Sequence, residues 1–425
     1  MSAKNFYFVI VGCGLLYQLI LNYLQEKQRK LPLPVQVADV YSVQRYQTYL
    51  NYVGQSKRLS FIKLAINLLF ELIFVYSSFY PWALSVNRNV YVNTILIVSI
   101  IALVSYPLDY AFDYWQTFKI DESFGKNKHT LASFTKDFLL MSIPSFLLEL
   151  ALYLGLVFVF ENLASWTNNF QLDITLVLLI VGIIGVLLFA LYCVIGMISL
   201  FLLKKQYHFT PLAEGELRDK IVSLMQGCKK KVKSINVYDE SSKSTSKNAF
   251  LLKFLNHREF GIADNFLDGN SEDELLAVLS HEIGHLKHKK NIYNYLQKLF
   301  ILCPIILFIY ALFHVEIIFA INQWILDSFQ LTSMSYPVVF MIYLTLFKPF
   351  MALFNIFNIN VTRREEYEAD RNAVANGYGE ALIATFKQLS SDELINVNPH
   401  PLVEWLEYDH PGMYQRIVAI EKAVK

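Results

Sequence analysis

Residues 174–203 read ITLVLLIVGIIGVLLFALYCVIGMISLFLL. No side chain in this run is charged, and about 20 apolar residues suffice to cross the core of a bilayer. At 1.5 Å per residue, a helix of this length measures about 45 Å, so it must tilt or project beyond the hydrocarbon. Further apolar runs follow the same pattern at roughly 5–24, 60–84, 92–110, 138–160, 299–320 and 336–358. The expected fold class is therefore a multi-span α-helical membrane protein with about seven transmembrane helices. The first run follows MSAK, is too long for a signal-peptide core and lacks a small-residue cleavage site, so it reads as a retained helix.

Composition agrees with this class. The chain is 55% hydrophobic and only 17% charged, less charge than a soluble domain carries. Lys plus Arg number 37 against 36 for Asp plus Glu, so no nucleic-acid partner is indicated. The cysteines, Cys13, Cys193, Cys228 and Cys303, form no C-x-x-C pair. A disulfide framework or thiolate zinc site is not expected.

Loop charge sets the orientation. Lys27, Arg29, Lys30, Arg45, Lys57 and Arg58 lie between the first two spans, and Lys119, Lys126, Lys128 and Lys136 between the third and fourth. The opposite loops offer only Arg88. Positive short loops stay cytoplasmic. The expected organisation is then helices one to five over 1–203, a cytoplasmic segment over 204–298, helices six and seven over 299–358, and a cytoplasmic tail over 359–425. Two polar segments far apart in sequence share one face of the membrane.

In the first polar segment, Thr210-Pro211 reads as a helix start, with a helix to about Gly227. KSINVYDE (233–240) and NAFLLKFL (248–255) have strand composition, and EFGIADNFL (259–267) is a strand or a turn. Ser271 to Glu274, SEDE, fits a capping box. The helix it opens carries AVLSHEIGHLKHKK, residues 277–290, with room to continue into the sixth span. His281 and His285 lie one turn apart on one face, able to meet one metal ion at about 2.0–2.1 Å each. Glu282 flanks the pair, too far round to be a natural third ligand but placed to touch a water on the metal. This is the H-E-x-x-H arrangement of zinc peptidases. His288 sits about 10.5 Å from His281 along the axis, too far to share an ion; with Lys287, Lys289 and Lys290 it reads as a basic interfacial cluster.

A zinc site of this kind needs a third protein ligand and an open fourth position. RREEYEAD, residues 363–370, supplies candidates. Glu366 and Asp370 are four apart on one helix face, so a Glu ligand has an Asp one turn on to hold the far nitrogen of a histidine. Glu365 and Glu368 lack such a partner. The competing reading of this stretch is a solvated acidic helix with surface Arg–Glu pairs.

HEIGH, EYEAD and the seven spans, with DESFGKNKHT (121–130), NAF (248–250) and YDHP (408–411), resemble the type I CAAX prenyl protease family, integral-membrane zinc metalloproteases. The resemblance covers nearly the whole chain. It implies one zinc ion per chain on His281, His285 and Glu366, with Glu282 catalytic and Asp370 behind the ligands. It also implies seven helices forming a barrel around a water-filled chamber, closed by an α+β peptidase domain on the cytoplasmic side. The implied substrate is a farnesylated or geranylgeranylated CAAX peptide or protein, cut to remove its C-terminal tripeptide, with a second upstream cut in some members. The implied setting is the endoplasmic reticulum membrane, or the inner membrane of a bacterium. Departures are Phe250 where the family usually has Tyr, and a short stretch over 321–335 where some members carry an insertion.

The strand around Asn248 can pair with an extended substrate. Asn248 is a candidate to hold a substrate carbonyl, and His410 or Arg416 to donate to the oxyanion; the competing reading of Asn248 and His410 is a turn or capping residue. Glu71, Glu149, His314, Glu316 and Lys348 fall within the spans, where charges face a cavity or a partner; the competing reading is helix tilt or a place near the interface. Pro144, Pro304, Pro337 and Pro349 are candidate kinks. The rival expectations are a membrane quality-control metalloprotease and, in another class, a seven-helix transporter or channel with structural zinc.

Overall fold

The computed structural model describes residues 1–169, 174–226, 232–254, 257–287, 292–296 and 315–425. The sequence opens with long helices: α1 (Ala3–Arg29), α2 (Val43–Tyr76), the short α3 (Phe79–Val86), α4 (Val90–Trp115), α5 (Leu131–Asn169) and α6 (Ile174–Gln206). Their starts are capped as the local sequence dictates. Ser42 Oγ accepts from the Arg45 N–H, and Asn89 Oδ1 accepts from the N–H groups of Tyr91 and Val92. The second apolar run, expected as one span to about residue 84, breaks at Ser77, and Pro81 sits in the first turn of α3, where its missing N–H costs nothing.

Among the described residues, six helices are long and apolar enough to cross a membrane. Leu16, Leu69, Leu103, Leu147 and Leu353 all lie exposed on them. An outward face this apolar has no stable home in water, and the protein is an integral, multi-pass membrane protein. The expected sixth span, 299–320, lies outside the described residues up to 314, as do His314, Pro304 and the cluster His288–Lys290. A helix, α10, runs over Val315–Phe329. The stretch after residue 320, expected as a short loop, is therefore largely helical.

The last span is longer than its apolar run. Helix α11 continues without a break from Tyr336 to Ala375, about 60 Å at 1.5 Å per residue. The expected boundary at 358 thus falls inside one helix, because the polar turns after it pack on neighbouring helices rather than fraying. Pro337 lies in its first turn and kinks nothing, whereas Pro144, Pro349 and also Pro107 are internal. At one end of the molecule, Tyr7, Tyr80, Ile97, Phe329, Tyr336 and Phe340 form a shared core.

Between α6 and residue 272 the chain builds a four-stranded sheet in the order β1-β2-β4-β3: β1 Phe209–Pro211, β2 Ser234–Tyr238, β3 Ala249–Phe254, β4 His257–Ala263. The pairings β1 with β2 and β3 with β4 are antiparallel, and β2 with β4 is parallel. Thr210 and Pro211, expected to start a helix, belong to β1 instead, with Pro211 opposite Asn236 on an edge where proline is tolerated. The helix, α7 (Glu216–Leu224), begins only after Gly215. The stretch left as strand or turn at 259–267 is strand β4 followed by the short helix α8 (Asp264–Gly269). Helix α9 (Glu272–Lys287) lies against this sheet through Leu275, Leu276, Leu279 and Ile283. The chain ends in α12 (Gly379–Asp392), α13 (Pro401–Glu407) and α14 (Met413–Val424).

Candidate metal centre

Helix α9 starts where its capping box predicts. Glu274 Oε2 accepts from the Ser271 N–H at 2.8 Å, and Ser271 Oγ accepts from the Glu274 N–H at 3.4 Å. Its leucine face is spent on the sheet, which leaves His281 and His285 on the face toward α11. The two helices approach closely at Gly284, where an added Cβ would stand 2.7 Å from the Cα of Ala369. Asn372 and Asn376 fix the register by donating to the Ser280 carbonyl at 2.6 Å and the Ser280 hydroxyl at 2.8 Å.

This contact brings Glu366 and Asp370 beneath the histidines. His281 Nδ1 donates to Asp370 Oδ1 at 2.8 Å, the only sense open to an ionised carboxylate. That leaves Nε2 as the lone-pair nitrogen, 3.4 Å from Glu366 Oε2. His285 Nε2 lies 3.3 Å from Glu366 Oε1. Burial alone would push the His281 imidazole down, but the Asp370 and Glu366 carboxylates on either side of the ring outweigh it and hold it above its ordinary value. The pocket therefore favours positive charge at its centre.

Several observations say that a metal ion fits. One ligand atom each from His281, His285 and Glu366 lies within 4.8 Å of the others. Glu366 is buried, and its Oε2 has no hydrogen-bond partner, which is costly unless a cation completes it. Two imidazoles and one carboxylate are a donor set that catalytic zinc sites use.

The remaining candidates fall around this cluster. Glu282 is half-buried on α9 beside His281. His410 presents a largely exposed ring whose Nε2 is 3.6 Å from Glu366 Oε1. Arg416 is buried on α14 and committed to Asp370, donating from Nε to Oδ2 at 2.9 Å and from a terminal nitrogen to Oδ1 at 2.6 Å. Its charge stands behind the aspartate rather than in the open. Asn248 is exposed just ahead of β3, and its carbonyl accepts from the Ala263 N–H. Among the described residues β3 pairs only with β4, so its outer edge is open, and β3 packs beside α9. Glu365, the rival ligand, is engaged elsewhere, accepting from Asn294 Nδ2 at 2.7 Å.

Sequence reasoning missed Arg363, which it grouped with surface ion pairs. The side chain is buried and donates to the carbonyls of Glu404, Trp405 and Tyr408, the segment that delivers His410. The available signal was its spacing: 363, 366 and 370 share one helix face. Of the charged residues within the spans, Glu71 accepts from the Tyr7 hydroxyl at 2.9 Å, Lys348 stands over the Tyr7 ring, and Glu149 lines an apolar groove of about 660 Å³ between α5, α10 and α11.

The chain has relatives along its whole length. It is 24% identical to the CAAX prenyl protease 1 homolog of Oryza sativa subsp. japonica, covering 96% of this chain and 95% of the relative. It is 25% identical to CAAX prenyl protease 1 of Saccharomyces cerevisiae, covering 95% and 92% respectively. In fold it is similar to the crystal structure of S. mikatae Ste24p, with a TM-score of 0.76 and 23% identity over 99% of each chain. Residues 7–195 match the CAAX prenyl protease N-terminal family of five membrane helices. Residues 211–424, which hold strands β2 to β4, the histidine pair and the acidic partners, match peptidase family M48 over half of the chain's length, and the chain belongs to that family.

Proposed function

We propose that this protein is a zinc endopeptidase that removes the C-terminal tripeptide from prenylated CAAX proteins at a site facing the cytoplasm. The observation that carries the reading is the cluster of His281, His285 and Glu366, built on a helix that packs against the edge strand β3. The relatives' names give the substrate class. The membrane would be that of the endoplasmic reticulum in a eukaryote, or the inner membrane in a bacterium. A barrel of seven helices around a chamber, with a segment over 204–298 and a tail over 359–425 closing it, belongs to the same proposal.

His281, His285 and Glu366 would hold the zinc ion. Bound there, zinc would polarise the scissile carbonyl and make water acidic enough to attack near neutrality. Glu282 takes that proton on its carboxylate and passes it to the leaving amine. Asp370 keeps the His281 proton on Nδ1, and Arg416 keeps Asp370 ionised and in place. The edge of β3 orders the substrate backbone, with Asn248 at its start to hold a carbonyl. His410, its exposed ring 3.6 Å from Glu366 Oε1, is the candidate donor to the oxyanion. Among the described residues no thiolate stands at this cluster, which sets it apart from the cysteine-rich, closed sites of structural zinc.

The test is mass spectrometry of prenylated and unprenylated CAAX peptides incubated with purified protein, with and without a chelator. Cleavage between Cys and the tripeptide should stop with the chelator and return with zinc. Glu282→Gln should keep its metal and lose about 10²–10⁴-fold in rate. Chelator-resistant cleavage, or an active Glu282→Gln, would refute the mechanism; cleavage of unrelated unfolded peptides alone would favour a quality-control protease.

A further inference from the structure

We infer that Gln25, near the end of the first membrane helix, is a positioning residue for His410: it holds the short helix that carries this oxyanion donor to the metal centre. The inference rests on the reading above and adds what puts the donor in place. The ring of His410 is largely exposed, with Nε2 3.6 Å from Glu366 Oε1. Its Nδ1 lies 2.9 Å from Asp409, the exposed residue before it. A ring held so lightly stands where its backbone puts it. That backbone follows Tyr408, the C-cap of α13, by two residues. Helix α13 has seven residues, and an isolated helix this short is not stable in water. Its place is set by what grips it.

Gln25 is buried on α1 and meets both ends of α13. Its Oε1 accepts from the His400 N–H at 2.8 Å, and its Nε2 donates to the Tyr408 hydroxyl at 3.0 Å. A backbone N–H can only donate, so the oxygen of the amide faces His400 and the nitrogen faces Tyr408. His400 is the N-cap of α13 and Tyr408 its C-cap, so one side chain spans the helix. Tyr17, also on α1, donates from its hydroxyl to Glu407 Oε1. Helix α11 grips the other end: Arg363 donates to the Glu404 carbonyl, to that of Tyr408 at 3.1 Å and to that of Trp405 at 3.3 Å. These are carbonyls that a helix C-terminus leaves without partners.

Beyond His410 the chain returns to the same unit. Glu404 Oε1 accepts from the Gly412 N–H at 3.1 Å, and a Cβ added to Gly412 would stand 2.8 Å from Pro399 Cγ. Residues 399–412 thus form a closed piece with His410 at its exposed tip. Arg363 ties this piece to the helix that carries Glu366, and Gln25 ties it to the first membrane span. The pair of Tyr17 and Glu407 is exposed, whereas Gln25 is buried, so water competes least for its bonds. An oxyanion donor works only at the position where charge develops, and a shift of about 1 Å is costly. Loss of Gln25 therefore reaches the reaction through His410.

The experiment uses the full chain in lipid nanodiscs with a farnesylated CAAX peptide. Gln25→Ala should lower kcat by about 10–100-fold and leave KM and zinc affinity within about twofold, because the oxyanion exists only in the transition state. In a His410→Ala background the same change should cost nothing further, since a donor already removed cannot be misplaced. Tyr408→Phe keeps the ring and loses the hydroxyl; it should show the same pattern more weakly, and it decides the matter if Gln25→Ala does not fold. An unchanged kcat, or equal losses with and without His410, would overturn the inference. Amide hydrogen exchange reads the placement without any cleavage. Gln25→Ala should speed exchange across 401–412 by about tenfold or more and leave α9 unchanged. Exchange at the wild-type rate, or a rise of equal size in α9, would also overturn it. If the wild type cleaved no CAAX peptide while exchange at 401–412 still answered to Gln25, the functional reading would fail and the clamp on α13 would stand.

Discussion

Asp370 shows how much a residue outside the ligand set decides. It accepts from His281 and is clamped by two nitrogens of Arg416, itself buried against the ring of Phe386 at 4.1 Å. The carboxylate holds the tautomer that frees His281 Nε2, and the guanidinium compensates the buried charge. Partners of this kind tune metal affinity by about 10–100-fold. Asp370→Asn keeps the shape but weakens the orienting hydrogen bond and leaves Arg416 with only the Glu366 carboxylate, 3.7 Å away, as counter-charge. Zinc titration against a competing chelator should show affinity lower by about 10–100-fold. An unchanged affinity would show that the aspartate merely neutralises Arg416.

At the scale of elements, the site depends on how near α9 comes to α11. Gly284 is needed for its size, because a Cβ there meets the Ala369 backbone, which cannot swing aside as a side-chain tip can. Overpacking of this sort costs about 1–3 kcal/mol. Gly284→Ala should lower the thermal unfolding midpoint and loosen the metal, since His281, His285 and Glu366 sit on the two helices it pushes apart. Ala369→Gly, made together with it, removes only the Cβ contact at 3.1 Å and leaves the backbone contact at 2.7 Å, so the pair should recover little of either. Full recovery by the pair would show that Gly284 avoids the side chain rather than the backbone.

Across the whole molecule, the loop after α4 ties the membrane helices to the peptidase segment. Asn127 forms a bridge with Ser244, the Lys128 N–H donates to the Lys243 carbonyl at 2.9 Å, and Lys126 Nζ donates to the side chain and backbone of Glu393, each at 2.8 Å. Lys243 in turn pairs with Asp137 of α5 and stands over the Tyr207 ring at 4.2 Å. Its side chain is nearly buried and that of Asp137 mostly so. Breaking a pair at this depth falls between the surface and interior limits, about 1–3 kcal/mol. Lys243→Met should therefore unfold at a lower temperature than Lys243→Met combined with Asp137→Asn, which leaves no lone charge. Equal midpoints for the single and double variants would show the pair to be solvated.

The sequence by itself determined what is local. Hydropathy marks the spans because the bilayer tests each segment separately; the capping box starts α9 because Ser271 and Glu274 lie within one turn; the histidine pair is visible because four residues are one helical turn. Strand composition likewise located β2 and β3. Only the tertiary structure decided the rest. Thr210-Pro211 looks like a helix start until β2 is there to pair with it, and the last span looks finished at 358 until α9 is there to bury its polar continuation. His281 and Asp370 are 89 positions apart, and no periodicity along the chain links them. Their meeting is fixed by a glycine on one helix that lets the backbone of the other approach, and by Arg363 and Arg416, whose partners lie more than forty positions away. A pattern of side chains reports the faces of its own helix; which face meets which depends on packing, to which the whole chain contributes.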